Sequence, residues 1–224
     1  MVVYNDAMTP RPRLTSDESI LAGAARAIGR LGPAKVTLSD VAREAGVSPA
    51  TLVQRFGSKR GLLLALASAG AEGNRHQFSA LRQAHSPPTA ALLAMADCMT
   101  QFFATPEEIS NGLAFLQIDL TDSEFHRLAL ANAETIDTEI RKLIADAVNA
   151  GELAGCRPAP LARVLQAALH GSLVSWAIHR QGALRDWLRK DLETVLQPYR
   201  KPRAGGPRPK KGRSRLTSTS LQWP

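Results

Sequence analysis

The sequence predicts an all-α fold of about nine helices, divided into a three-helix N-terminal unit and a larger helical C-terminal unit. Apolar residues recur at the helical period from Ile20 onward, and Ser, Thr and Pro residues that start helices stand ahead of the periodic runs. No segment alternates apolar with polar residues as a half-buried strand does. With 224 residues and a 44% apolar composition, the chain can bury a substantial core.

Thr15-Ser-Asp-Glu18 has the spacing of a capping box, and Ile20, Leu21, Ala24, Ala25, Ile28 and Leu31 follow on one helical face until Gly32-Pro33. The first helix therefore spans about 16–31. Thr37-Leu-Ser-Asp40 opens a short second helix with Leu38, Val41, Ala42 and Ala45 inward, ended by Gly46 where a positive φ is wanted. Ser48 caps a third, with Pro49 at its first position and Leu52 and Phe56 facing the core. Ser58 caps a fourth, which runs on to about Gln83 before Pro87-Pro88 and carries the domain boundary. Further helices are predicted over about 89–104, from Thr105-Pro106-Glu-Glu108, from Thr121-Asp-Ser-Glu124 to Gly151, from Pro160 to Gly182, and over about 183–197 ahead of Pro198. Residues 1–15 read as a flexible arm, 16–66 as the first domain, 67–199 as the second, and 200–224 as a disordered basic tail too poor in apolar groups to offset chain ordering.

The formal net charge of +8 equals the charge of that tail, so residues 1–199 are neutral overall. Within them, residues 1–60 are net +4 and residues 61–199 net −4, which places the basic end at the N-terminus. No run of 18 apolar residues occurs and no signal-peptide core precedes residue 15, so a cytoplasmic protein is expected. Cys98 and Cys156 lie far apart without a neighbouring metal ligand and read as ordinary buried thiols.

Two short helices joined through Gly46-Val47-Ser48 set the second steeply against the first, the geometry of a helix-turn-helix. Its exposed face offers Ala50, Thr51, Gln54 and Arg55, of which Arg55 suits guanine and Gln54 adenine in a major groove. Thr37, Ser48 and Lys59, near three helix N-termini, bring donors toward phosphates, and Pro49 begins the reading helix beside them.

Val36-Thr37-Leu38, Val41-Ala42-Arg43-Glu44-Ala45-Gly46-Val47-Ser48, Thr51-Leu52, Phe56-Gly57-Ser58-Lys59 and Leu62-Leu63 together resemble the signature of the TetR family of transcriptional regulators. The resemblance covers about residues 16–66 and extends to the rest only in layout. It implies a repressor released from a palindromic operator by a small-molecule effector. It also implies DNA contacts at Thr37, Ser48, Thr51 and Lys59, and a homodimer built from the last two helices of each subunit, about 160–182 and 183–197. Ala167, Ala168, Gly171 and Ser172 are small enough to let a partner helix approach. The sequence departs from the family at Val53, where a phosphate-contacting tyrosine is usual, and at Arg60, where an acid is common.

Among the later helices, Phe102, Phe103, Phe115, Phe125, His126, His170 and Trp176 are candidate walls of an effector pocket for a largely apolar ligand. His126, His170 and His179 form no i,i+4 pair or cluster with other metal ligands, so neither a metal nor another cofactor is expected. No nucleophile–base pair or phosphate-cradling glycine loop marks a catalytic site, and no membrane partner is expected. Two alternatives stay open: an adaptor that keeps the fold without operator recognition, for which Val53 is the motive, and an enzyme that uses the C-terminal pocket.

Overall fold

The computed structural model describes residues 15–201, so the N-terminal arm before Thr15 and the basic tail after Lys201 lie outside the described residues. Nine α-helices form, among the described residues, with no strand: α1 Asp17–Lys35, α2 Leu38–Ala45, α3 Pro49–Phe56, α4 Lys59–Ala84, α5 Pro88–Phe102, α6 Pro106–Thr121, α7 Ser123–Asn149, α8 Pro158–His179 and α9 Leu184–Leu196. A 3₁₀ turn, Gln197–Tyr199, follows α9. No helix of the described residues is long and apolar enough to cross a membrane.

Capping chemistry decides most of the boundaries. Ser16, Thr37, Ser48, Ser58 and Thr105 each accept a backbone N–H three residues on, and Thr37 and Thr105 complete reciprocal boxes with Asp40 and Glu108. Three boundaries differ from the sequence reading. The first helix breaks at Gly32, which has φ +79°, yet the chain resumes a helical turn through Pro33 to Lys35. Thr121 closes α6 instead of opening α7, because the Asp122 carboxylate, which accepts from the N–H groups of Glu124 and Phe125, is the better cap. Helix α8 starts at Pro158, two residues before Pro160, and ends at His179 with Arg180 in the left-handed region.

Buried side chains fall into two clusters joined along α4. The first contains Ile20, Ala24, Ala27, Ile28, Val41, Ala42, Leu52, Leu62 and Leu63, closed from the C-terminal side by Phe125 with Phe115 and Ile118 packed beside it. The second contains Phe78 and Leu81 of α4 with the buried faces of α5, α7, α8 and α9. Ion pairs stitch the same junctions: Arg82 of α4 to Glu139 of α7 at 2.7 Å, and Arg185 of α9 to Asp97 of α5. Burial pushes the Glu139 carboxyl up, but Lys142 and Arg82 outweigh it and hold it below its ordinary range. Beyond α9, Arg200 and Lys201 are not loose as the sequence suggested. Leu153 and Arg200 form an antiparallel bridge, and the Lys201 N–H donates to the Glu152 carbonyl.

Two helical glycines face opposite surroundings. A Cβ at Gly61 would lie 2.0 Å from the Phe56 carbonyl oxygen, inside the turn that joins α3 to α4, whereas a Cβ at Gly29 meets nothing within 4 Å. The same change should therefore have opposite signs. Gly29→Ala is expected to raise stability by about 0.5–1 kcal/mol through lower unfolded-chain entropy. Gly61→Ala should lower it by about 1–3 kcal/mol because backbone must shift. Chemical denaturation of the two variants checks this; equal midpoints would refute the reading of the α3–α4 turn.

Candidate nucleic-acid interface and interdomain cavity

Helix α3 is placed by its two flanking turns. Gly46, with φ +67°, ends α2 in the left-handed conformation and lets the Val47 N–H donate back to the Ala42 carbonyl. Leu52 then plugs α3 into the first core with no exposure, while Pro49, Ala50, Val53 and Gln54 lie exposed on its outer side. Thr37 and Ser48 are exposed at the starts of α2 and α3, and the Ser48 and Thr51 hydroxyls lie 2.9 Å apart. Thr51 is half-buried and Val53 is 49% exposed.

Two of the sequence-selected cations turn back on the protein instead of outward. The Arg55 guanidinium donates to the Asp17 carboxylate at 2.9 Å and to the Thr15 carbonyl, and its side chain is only 22% exposed. The Lys59 ammonium donates to the Ala34 carbonyl at 2.9 Å. Arg26 and Arg30 both pair with Glu44, at 2.8 and 2.6 Å, locking α1 to α2 and holding the Glu44 carboxyl below its ordinary range. Arg43 pairs with Asp40, whose carboxyl is lowered first by the Thr37 hydroxyl and then by the Thr37 backbone. Four of the arginines of this unit, Arg26, Arg30, Arg43 and Arg55, are thus paired with acids of the same unit.

Arg60, the second departure in the sequence, bridges α4 to the start of α7. Its guanidinium pairs with Asp122 at 3.0 Å and with Glu124 at 3.1 Å, and lies 5.1 Å from the centroid of the Phe125 ring. Phe125 in turn meets Phe115 edge-to-face, with centroids 6.0 Å apart. Asp122 is held below the ordinary carboxylate range chiefly by Arg60.

A cavity of about 350 Å³ lies beside this pair, lined by Ile28 and Gly29 of α1, Leu66 and Gly70 of α4, Phe103 at the end of α5, Phe115 and Asp119 of α6, and Asn132 of α7. Phe102 also lines it. The structure therefore brings together three of the seven selected wall residues and disperses four. Phe125 is 1% exposed in the first core, and His126 is exposed on the surface. Trp176 is buried in the second core, where its indole N–H donates to the Gly182 carbonyl at 3.1 Å. His170 lines a separate space of about 80 Å³ with Met95, Met99 and Cys98, too small for an ordinary ligand site. Both cysteines are free and half-buried, not fully buried. Burial pushes the Cys98 thiol up, helped by Asp97.

The sequence reading missed Gly29, Asp119 and Asn132, and it missed Asn111, whose amide donates to the Gly29 carbonyl at 2.8 Å and ties α6 to α1. Asp119 forms no hydrogen bond or ion pair among the described residues, and burial pushes its carboxyl up to about 6. No group of three or more His, Cys, Asp or Glu side chains is placed to hold a metal ion among the described residues.

Residues 20–66 match the profile of the family described as bacterial regulatory proteins, tetR family. The chain is 37% identical over 114 residues to the HTH-type transcriptional regulator BetI of Agrobacterium fabrum, a match covering 50% of this chain and 54% of that protein. The chain thus spans about half the length of this relative. In fold it is similar to a TetR transcription regulator from Haloarcula marismortui, with a TM-score of 0.66, 18% identity, and 83% and 98% of the two chains covered. It is likewise similar to a transcriptional regulator from Saccharomonospora viridis, described in complex with choline, with a TM-score of 0.64, 21% identity, and coverage of 81% and 95%. The likeness to the tetR family of bacterial regulatory proteins thus rests on residues 20–66 in sequence and extends to the other helices in fold.

Proposed function

We propose that the chain is a sequence-specific DNA-binding repressor, cytoplasmic and not an enzyme, that works as a homodimer and leaves its operator when a small molecule occupies the interdomain cavity. The outward presentation of Ala50 and Gln54 on a helix anchored by a fully buried Leu52 carries this reading. Gln54 reads a base edge, Thr37, Ser48 and Thr51 face the phosphates, Lys59 reaches one on letting go of the Ala34 carbonyl, and Pro49 and Ala50 make close van der Waals contact with the groove. Arg55, given its pairing with Asp17 and Thr15, braces α3 against the start of α1 in this proposal and does not read guanine.

The dimer rests on a second observation. Val164, Ala167, Gly171, Val174 and Ile178 are all exposed along one side of α8, with Ile178 75% exposed, while Ser172 faces inward and donates to the Ala168 carbonyl. Such a stripe of apolar and small residues suits a second copy related by a two-fold axis, and a two-fold axis demands a palindromic site. The effector part is supported by the cavity's walls, which come from both domains, so that a ligand there can distinguish two relative placements of them. The choline held by the Saccharomonospora viridis neighbour supports small-molecule binding within this fold.

Selection of bound duplexes from a random pool should return a palindrome. Gln54→Ala should relax one position of each half-site by about 1–3 kcal/mol, whereas Arg55→Ala should weaken all sequences alike and leave the consensus unchanged. A pool that shows no enrichment would favour the adaptor reading. Ile178→Asp is expected to convert the dimer to monomer in sedimentation velocity, because a carboxylate would be buried unpaired at the stripe. A variant that sediments as the parent protein does would remove α8 from the interface.

A further inference from the structure

Helix α5 carries Met95, Cys98 and Met99 at positions i, i+3 and i+4, so the three sulfur side chains share one helical face. All three line the space of about 80 Å³ between α4, α5, α7 and α8, and His170 of α8 lines it with them. Met95 is buried, Cys98 and Met99 are half-buried, and His170 is exposed, so an ion has a path in beside the imidazole. Neighbours on such a face suit one ion, since their Cβ atoms stand about 5–6 Å apart and each metal–sulfur bond spans about 2.3 Å. This space shares no wall residue with the interdomain cavity and stands apart from the regulatory reading.

We propose that these four residues bind one Cu(I) ion, held by the Cys98 thiolate, the His170 imidazole and the thioether sulfurs of Met95 and Met99. Donor chemistry makes the selection, because thioether sulfur holds soft ions and competes poorly with water for hard ones. No Asp, Glu, Lys or Arg lines the space, so Ca²⁺ and Mg²⁺ find no carboxylate there. Zn²⁺ would find one thiol and one imidazole where structural sites supply four such ligands, and would keep an uncompensated charge. Cu(I) and one thiolate cancel, so the pair enters a half-buried place without net charge. On binding, the Cys98 S–H bond breaks, the sulfur gives its electron pair to copper and the proton leaves to solvent, while the metal stays Cu(I). Burial holds the free thiol protonated, so the metal itself drives the proton off, and the Gln77 side chain is already hydrogen-bonded to that sulfur. Burial lowers the His170 pKa, which leaves a neutral imidazole with a lone pair to offer at pH 7. A space of about 80 Å³, too small for an organic effector, suits a single ion.

Anaerobic titration of the full-length protein with Cu(I), buffered by the competing chelator bathocuproine disulfonate, tests the site. One ion should bind per chain, and X-ray absorption at the copper edge should show sulfur together with nitrogen around the metal. Cys98→Ser should weaken binding by about a hundredfold or more, since it removes the anionic ligand. Met95→Leu combined with Met99→Leu, which keeps the core volume, should weaken it by about tenfold, and His170→Ala by a similar factor. Cys156, the other free thiol, does not line this space, and Cys156→Ser should leave stoichiometry and affinity unchanged. Zn²⁺ in excess should not displace the copper.

Circular dichroism keeps folding apart from ligation. Without copper, the methionine double variant should retain the helical signal of the parent, and copper should raise the melting temperature only where the site is intact. Copper left wholly with the chelator, or unchanged affinity in Cys98→Ser, would overturn the proposal. Unchanged affinity in the methionine double variant, or a metal shell of nitrogen and oxygen alone, would do the same by removing the thioethers from it. None of these outcomes bears on whether the chain selects DNA.

Discussion

Helix α1 is packed on two sides at once, and the arrangement of the helices around the first core depends on that constraint. On one side Gly23 lets the Ala45 end of α2 come so close that an added Cβ would stand 3.0 Å from the Ala45 Cβ, and Glu44 is gripped by Arg26 and Arg30. On the other side Asn111 reaches from α6 to the Gly29 carbonyl, and its Oδ1 sits where a Cβ on Gly32 would be, 2.7 Å away. The first contact fixes where α3 points. The second fixes how the C-terminal helices sit on the helix-turn-helix, so a change at either one is felt by the other through α1.

That geometry gives the cavity its meaning. Its floor is α1 and its far wall is α6, joined edge-on through Phe115 to Phe125 and from there to Arg60 at the head of α4. Arg60 follows directly on Ser58 and Lys59, which close the turn after α3. A group that spreads α6 from α1 therefore acts within two side-chain contacts of the turn that orients α3. Coupling of this kind requires only that the two placements of α6 differ in their fit to the ligand.

The helices were legible because their signals are local. Caps lie three residues from their targets and apolar faces repeat every three or four, so Thr37, Ser48, Ser58 and Thr105 announced their helices in sequence, while α1 is capped by Ser16, one residue past the Thr15 the spacing suggested. The misjudged start of α7 was a competition between two good caps one residue apart, Thr121 and Asp122. The helix-turn-helix was equally legible, and its outer face was correctly read at Ala50 and Gln54. The fate of Arg55 was not, since its partner Asp17 stands 38 residues away on a helix whose orientation no pattern encodes. The cavity was legible only in its aromatic part. Alanines and glycines such as Gly29 and Gly70 carry no sequence signal for lining empty space, and an aspartate like Asp119 looks like any surface acid until neighbours bury it.

The internal pairing of the arginines reaches beyond stability. A domain that carries Arg26, Arg30, Arg43, Arg55 and Arg60 would, with all five free, displace many condensed cations from a duplex and cling to any sequence. In the proposed DNA complex, these guanidiniums would have to leave their own acids before holding phosphates, which lowers the sequence-blind share of the affinity. Discrimination in that complex would then fall to uncharged donors and acceptors such as the exposed Gln54 amide.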